Sequence, residues 1–167
     1  MSQLVFYRKY RPQTFAEVIG QESIVKVLEN AILENKMALA YLFCGPRGTG
    51  KTTLARVFAK AVNCLKRTPS SYEPCNQCES CQDVNRDISL DVIEIDAASN
   101  RGIDEIRNIK DNVKIRPLKS KYKIFIIDEA HQLTEAACNA LLKILEEPPE
   151  YIIFILATTN PESILPT

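Results

Sequence analysis

Residues 45–53 read Gly45-Pro46-Arg47-Gly48-Thr49-Gly50-Lys51-Thr52-Thr53, with the spacing G-x-x-x-x-G-K-[ST]. That spacing carries meaning only between a strand and a helix, and both flanks supply one. The apolar run Leu39-Ala40-Tyr41-Leu42-Phe43-Cys44 precedes it, and the helical pattern Thr52-Thr53-Leu54-Ala55-Arg56-Val57-Phe58-Ala59 follows. Glycines let successive backbone N–H groups turn inward around phosphates, and the helix N-terminus adds a favourable dipole. Lys51 is then placed for the β- and γ-phosphates and the Thr52 hydroxyl for Mg²⁺. The competing reading is a Gly-rich turn that binds nothing. Complete spacing with the right element on each side speaks against it, so binding of a nucleoside triphosphate is expected.

A second stretch points to hydrolysis. Lys123-Ile124-Phe125-Ile126-Ile127 is a continuous apolar, β-rich run that suits a buried parallel strand, and it ends in Asp128-Glu129-Ala130-His131. Ligands sit at the carboxyl ends of such strands. Asp128 is expected to hold Mg²⁺ beside Thr52, and Glu129 to orient the attacking water. Two acids after a strand can also simply open a helix; beside the loop at 45–53 the catalytic reading is the stronger.

Lys+Arg and Asp+Glu balance at 21 each, so overall charge names no partner. Locally, Arg101 to Lys123 holds eight Lys/Arg against three Asp/Glu, an excess of five positive charges. No apolar run approaches the ~20 residues of a membrane span and the N-terminus has no secretory pattern, so a cytoplasmic location is expected. Cysteine usage agrees. Cys64, Cys75, Cys78 and Cys81 lie in a segment rich in Pro, Ser and Asn. Their two-residue gaps let tight turns present thiolates to one ion, and four thiolates close a structural Zn²⁺ site. Disulfides or unrelated thiols are the other readings, and disulfides fit poorly with a cytosolic nucleotide-binding protein. Cys44 and Cys138 are expected in the core.

Along the chain, strands and helices alternate. Helix is expected near Glu22–Asn35, with Ile24, Leu28, Ala31 and Ile32 on one face, then over residues following the loop to about Asn63. Further helices are expected from Ile103 to Val113 and from Thr134, as cap, to Glu147. Strands are expected at 39–44, 91–96, 124–127 and 151–156, and the cysteine segment is placed at 64–81. This order implies an α/β fold with a doubly wound parallel sheet flanked by helices. On the helix 103–113, Arg107, Lys110 and Lys114 form a basic face beside the apolar stripe Ile106, Ile109 and Val113. A solvated surface is the plain reading. Arg101 and Gly102 at the helix start favour a phosphate-contacting face instead, one that follows a nucleic-acid backbone without reading sequence.

These residues resemble a known family, the N-terminal AAA+ ATPase domain of the tau/gamma clamp-loader subunits of bacterial DNA polymerase III. The resemblance rests on Tyr7-Arg8-Lys9-Tyr10-Arg11-Pro12, Val18-Ile19-Gly20-Gln21, the loop at 45–52 and the four cysteines. It extends through Glu94-Ile95-Asp96-Ala97-Ala98-Ser99, Ile127-Asp128-Glu129-Ala130-His131, Asn139-Ala140-Leu141-Leu142-Lys143, Leu145-Glu146-Glu147-Pro148-Pro149 and Leu156-Ala157-Thr158-Thr159. The cysteine insertion beside the ATPase motifs is specific to this subunit within the AAA+ class. The resemblance implies that residues 1–167 are an ATPase core with an inserted zinc module at 64–81. It implies Thr159 as the residue that senses the γ-phosphate, and Tyr7, Arg11, Pro12, Val18 and Ile19 as the adenine-side wall. Ser99, Asn100, Arg101, Gly102, Arg107 and Lys110 fall in a DNA-tracking segment. The cofactors implied are ATP, Mg²⁺ and Zn²⁺. The partners are the other subunits of a hetero-pentamer, a sliding clamp that the assembly opens, and the primed DNA that receives it.

Beyond Thr167 the family pattern continues into a Ser-Arg-Cys motif whose arginine completes a neighbour's site, then a lid and an oligomerisation domain. This chain is accordingly expected to be a fragment, monomeric by itself and nearly inactive as an ATPase. Two other functions compete: a non-hydrolysing structural subunit, which has no need of Lys51, Thr52, Asp128 and Glu129, and another AAA+ DNA-processing motor, such as a helicase loader or recombination motor, which does not account for the cysteines.

Overall fold

The computed structural model describes residues 10–164. Its centre is two strands with no polar alternation. In β3 (Lys123–Asp128) only the last residue is not buried, and in β4 (Ile152–Thr158) every residue is buried. The flanking strands β1 (Ala40–Cys44) and β2 (Val92–Asp96) alternate between half-buried and exposed positions, apart from the buried Val92 at the start of β2. All pairings are parallel, in the order β1-β4-β3-β2. Central strands of a parallel sheet are covered on both faces, and edge strands are not.

The side-chain period of two divides the interior. Ile124, Ile126, Ile153 and Ile155 pack on one face, with α1 (Glu22–Leu33) and α2 (Lys51–Val62). Phe125, Ile127, Phe154 and Leu156 pack on the other, with α4 (Ile103–Val113) and α5 (Glu135–Glu146). The rings of Phe125 and Phe154 stack across β3 and β4 with centroids 5.2 Å apart. Between α2 and β2 lies α3 (Glu79–Asn85), which packs on α2. Register sets Cys44 level with Thr158 and Asp96 level with Asp128, so the carboxyl ends of all four strands share one edge.

The expected sheet and its helices are observed, and the Thr134 hydroxyl accepts from the Ala137 N–H at 3.3 Å as the cap of α5. Three details differ. The buried face of α1 is Val25, Leu28, Glu29 and Ile32; Ile24 is exposed, because it faces the open side of the edge strand β1. The same edge leaves Cys44 exposed, whereas Cys138 is buried. The helix α3 was not expected at all and starts inside the cysteine segment. Asp91 is buried just before β2, and its carboxylate accepts from the N–H groups of Leu118, Lys119 and Ser120 at 2.7–2.9 Å. Burial alone would raise its pKa; these three bonds bring it below the usual carboxylate value. They anchor the loop that leads into β3.

Candidate nucleotide and metal sites

The loop after β1 begins with the Gly45 N–H donating to the Thr158 carbonyl at 3.2 Å, which ties it to β4. Gly48 and Gly50 take φ of 79° and 81°, a conformation only glycine adopts without strain. Gly50 caps α2, whose first N–H groups have no intrahelical acceptors and face the loop region. The Lys51 ammonium donates to the Gly45 and Pro46 carbonyls, each at 2.9 Å, bridging the loop. Gln21 at the head of α1 donates to the Thr49 carbonyl at 3.3 Å. A cavity of about 500 Å³ opens beside the loop, lined by Gln21, Ile24, Tyr41, Phe43, Thr49 and Lys51 among others.

Across the strand ends, the Thr52 hydroxyl donates to Asp128 Oδ2 at 2.5 Å. Two adjacent ligands of an octahedral Mg²⁺ stand about 2.9 Å apart, so these oxygens fit one ion after opening by a few tenths of an ångström. Glu129 has φ 49°, ψ 42°, unusual for a residue with a side chain. Its Oε1 accepts from Arg47 Nε at 3.3 Å. Its Oε2 is buried and has no hydrogen-bond partner among the described residues. A carboxylate held at a strand end with an unused oxygen is chemically suited to orient water. The contacts of Arg47 with Glu129 and of Thr52 with Asp128 thus join the loop and the start of α2 to the end of β3, with Lys51 next to Thr52 in the chain. Thr159 lies exposed just after β4, and among the described residues His131 connects it to Glu129.

The implied adenine wall is not gathered into that cavity. Arg11 and Pro12 line a separate hollow with Arg56, Lys60, Asn85 and Asp87. Val18 is half-buried against the α1–α2 core, Ile19 is 91 % exposed, and Tyr7 lies outside the described residues.

The four cysteines converge. The sulfurs of Cys64, Cys75, Cys78 and Cys81 all lie within 4.8 Å of one another, with Cys64 and Cys78 4.0 Å apart, and all are free thiols. A tetrahedron with Zn–S of about 2.3 Å needs sulfurs about 3.8 Å apart, so the set fits Zn²⁺. Burial would raise the Cys75 thiol, but the Gln77 and Cys78 N–H groups bring it down to about 7. Burial raises Cys64 and Cys81. Cys78 caps α3 and Cys81 sits in its first turn, which explains why a helix starts there.

Lys60, on the buried side of α2 and 1 % exposed, joins this segment to the irregular stretch of chain before α1. Its ammonium lies 2.7–2.9 Å from four acceptors: Gln13 O, Gln13 Oε1, Asn76 Oδ1 and Asn85 Oδ1. Desolvation pushes its pKa down to about 8. Glu73, also in the cysteine segment, accepts from the N–H groups of Phe15 and Ala16, each at 2.9 Å. Lys60 escaped the sequence reading, although a lysine one turn from Val57 on the face shared with Ala61 was a visible signal.

The basic segment is exposed but not bare. Asp96 organises the turn before α4, accepting from Ala98 N and Ser99 Oγ at 2.8 Å, while Asn100 Nδ2 donates to its carbonyl. Arg101 Nε donates to the Ala98 carbonyl at 2.9 Å. Gly102 caps α4, whose first turn carries Asp104 and Glu105. Arg107 pairs with Asp104 at 2.8 Å, and Lys110 is exposed on the same helix. The two first-turn acids offset part of the phosphate attraction expected of that helix end.

Comparison with known proteins shows the family. A family model described as DNA polymerase III, delta subunit, matches residues 20–167. The chain belongs to that DNA polymerase III family. Within it, the chain is 58 % identical over 164 residues to DNA polymerase III subunit tau of Bacillus subtilis (strain 168), covering 98 % of this chain and 29 % of the relative. It is 45 % identical over 164 residues to subunit tau of Escherichia coli (strain K12), covering 98 % and 25 %. The resemblance to tau/gamma subunits is borne out, and the chain spans roughly a quarter of the length of these two relatives. Among solved structures, it is similar to a DNA polymerase III gamma subunit-related protein of Thermotoga maritima. The TM-score there is 0.54 and the identity 26 %, over 84 % of this chain and 41 % of that one. Similarity to a Thermotoga maritima RuvB T158V structure has TM-score 0.57 at 21 % identity, over 93 % and 44 %, and speaks to the AAA+ fold. Among the described residues, no helix of this family member is long and apolar enough to cross a membrane.

Proposed function

We propose that this chain is the ATP-binding and hydrolysing core of a DNA polymerase III clamp-loader subunit. In this reading ATP drives an assembly that opens a sliding clamp and loads it on primed DNA. The observation that carries the reading is the contact of Thr52, beside Lys51 at the start of α2, with Asp128, beside Glu129 at the end of β3. Backbone N–H groups at the start of α2 and the Lys51 ammonium bind the phosphates. Thr52 and Asp128 hold Mg²⁺, which when bound neutralises charge on the phosphate oxygens. Glu129 orients the attacking water, and Thr159 senses the γ-phosphate. Zn²⁺ held by Cys64, Cys75, Cys78 and Cys81 is structural, since all four positions are protein thiolates. The full-length protein works in the cytoplasm as part of a hetero-pentamer.

An arginine supplied in trans is typically worth ~10³–10⁵ in phosphoryl-transfer rate. The 167-residue chain alone is therefore expected to bind ATP weakly and turn it over almost not at all. The full-length protein, assembled with its partner subunits, clamp and primed DNA, is expected to show rapid hydrolysis that Lys51→Ala abolishes. Steady-state ATPase assays on both decide it, and fast Lys51-dependent turnover by the lone chain would refute the role given to the neighbour.

Primed DNA is read through phosphates in this proposal, with Ser99, Asn100, Arg101, Gly102, Arg107 and Lys110 as the contact segment. Arg101→Ala or Lys110→Ala in the full assembly should weaken DNA binding equally across sequences and lower the salt slope by about one unit. The pairing of Arg107 with Asp104 predicts a smaller effect for Arg107→Ala. A change in sequence preference with unchanged salt dependence in fluorescence titrations would contradict phosphate tracking.

A further inference from the structure

His131 is not used by the mechanism above, yet both of its ring nitrogens are engaged. Nδ1 lies 3.2 Å from Thr158 Oγ1, and Nε2 lies 3.4 Å from Thr159 Oγ1. The roles follow by elimination. The Thr158 hydroxyl gives its one proton to the Asn160 carbonyl at 3.1 Å and accepts from the Asn160 N–H at 3.0 Å. It therefore has no proton for the ring, and Nδ1 must be the donor. In the neutral imidazole Nε2 is then an acceptor and takes the proton of the Thr159 hydroxyl. The same Nδ1 stands 3.5 Å from Glu129 Oε2, the buried carboxylate oxygen with no hydrogen bond among the described residues. Among the described residues, Glu129's other oxygen is held only by Arg47, whose side chain is 85 % exposed, and a pair that open to solvent is weak.

We propose that His131 is a positioning residue for ATP hydrolysis, linking the Thr158–Thr159 pair at the end of β4 to the Glu129 carboxylate. The proposal rests on the ATPase reading above. Its imidazole fixes which way the Thr159 hydroxyl points and gives Glu129 Oε2 a polar neighbour across the strand ends. A terminal phosphate touching Thr159 is thereby coupled to the carboxylate that orients water. Phosphate binding itself runs through Lys51 and the start of α2, which His131 does not touch.

This division can be read in a split between binding and turnover. In the full-length protein within its assembly, His131→Ala should leave the ATP Kd within about threefold and lower kcat by about tenfold or more, the pattern of an interaction realised only on the reaction path. His131→Asn keeps a donor near Thr158 but loses the acceptor for Thr159, and should recover part of kcat. Preference for ATP over ADP, measured with labelled nucleotides, should fall in His131→Ala. In a Thr159→Val background, His131→Ala should add less than about a twofold further loss of that preference, because coupled residues are not additive. Unchanged kcat in His131→Ala, or a full-sized additional loss of preference in the Thr159→Val background, would overturn the proposal. So would equal losses of binding and turnover in His131→Ala and His131→Asn, which mean a merely structural role. If wild type lacks Lys51-dependent turnover, the ATPase reading itself fails; with such turnover present, these outcomes bear on His131 alone.

Discussion

In the full-length assembly, Glu129→Gln is expected to keep ATP affinity and to lose turnover by about 10²–10⁴, the usual worth of a positioned acid–base group. The amide has the same shape but carries no charge and is a poorer acceptor for the water's protons. Lys51, Thr52 and Asp128 remain in place, so the phosphate and Mg²⁺ contacts survive. Lys51→Ala does the opposite. It removes the one ammonium bridging the loop at Gly45 and Pro46 and should abolish measurable ATP binding. Equilibrium binding beside single-turnover hydrolysis separates the two. A Glu129→Gln protein that still turns over at near wild-type rate would remove Glu129 from the mechanism.

The second large effect concerns the four thiolates. Protein purified without added zinc should carry about one equivalent, the stoichiometry of a closed four-thiolate site. Chelation under denaturing-free conditions, or Cys81→Ser, should lower the melting temperature by roughly 10 °C. That corresponds to a loss of about 3–5 kcal/mol in a domain of this size. The loss extends past the metal, because Asn76 and Glu73 belong to the same segment and hold Gln13, Phe15 and Ala16 through Lys60 and directly. Lys60→Met keeps the thiolates but strands the buried acceptors. It should cost about 2–4 kcal/mol, since each unpaired buried polar group costs about 1–3. Calorimetry with metal analysis checks both. A metal-free protein of unchanged stability would refute a zinc-dependent fold.

What could be read from residues alone was whatever local chemistry dictates. The loop at 45–53 carries its own geometry in Gly48 and Gly50. The run ending in Asp128 can only be a strand covered on both faces. Thr134 announces the start of α5. The convergence of four cysteines followed from spacing. What escaped depends on partners distant in the chain. Cys44 reads as a core residue and Ile24 as part of an apolar helix face; their exposure follows from β1 being a sheet edge, which is a property of strand order. Helix α3 is only seven residues long, too short to show a period, and begins at a cysteine whose place is set by the other three. The contact between Arg47 and Glu129 spans 82 residues, and that between Lys60 and Gln13 spans 47. The residues implied as an adenine wall depended on resemblance alone, and only some of them fall beside the hollows of the fold.

The alternation along β3 and β4 has a mechanical corollary. Side chains next to each other in sequence, such as Phe125 and Ile126, answer to different sets of helices. The loop proposed to cradle phosphates leads into α2, which is bedded on one side of the sheet, while α5 grows out of the turn that follows Glu129 and His131 and is bedded on the other. Loosening the α4–α5 side would leave the cradle seated and let the carboxylate drift. If the proposed ATPase reading holds, such damage is felt first as nucleotide that is held but idle, so a protein weakened on that side fails as a stalled engine long before it fails as an empty one.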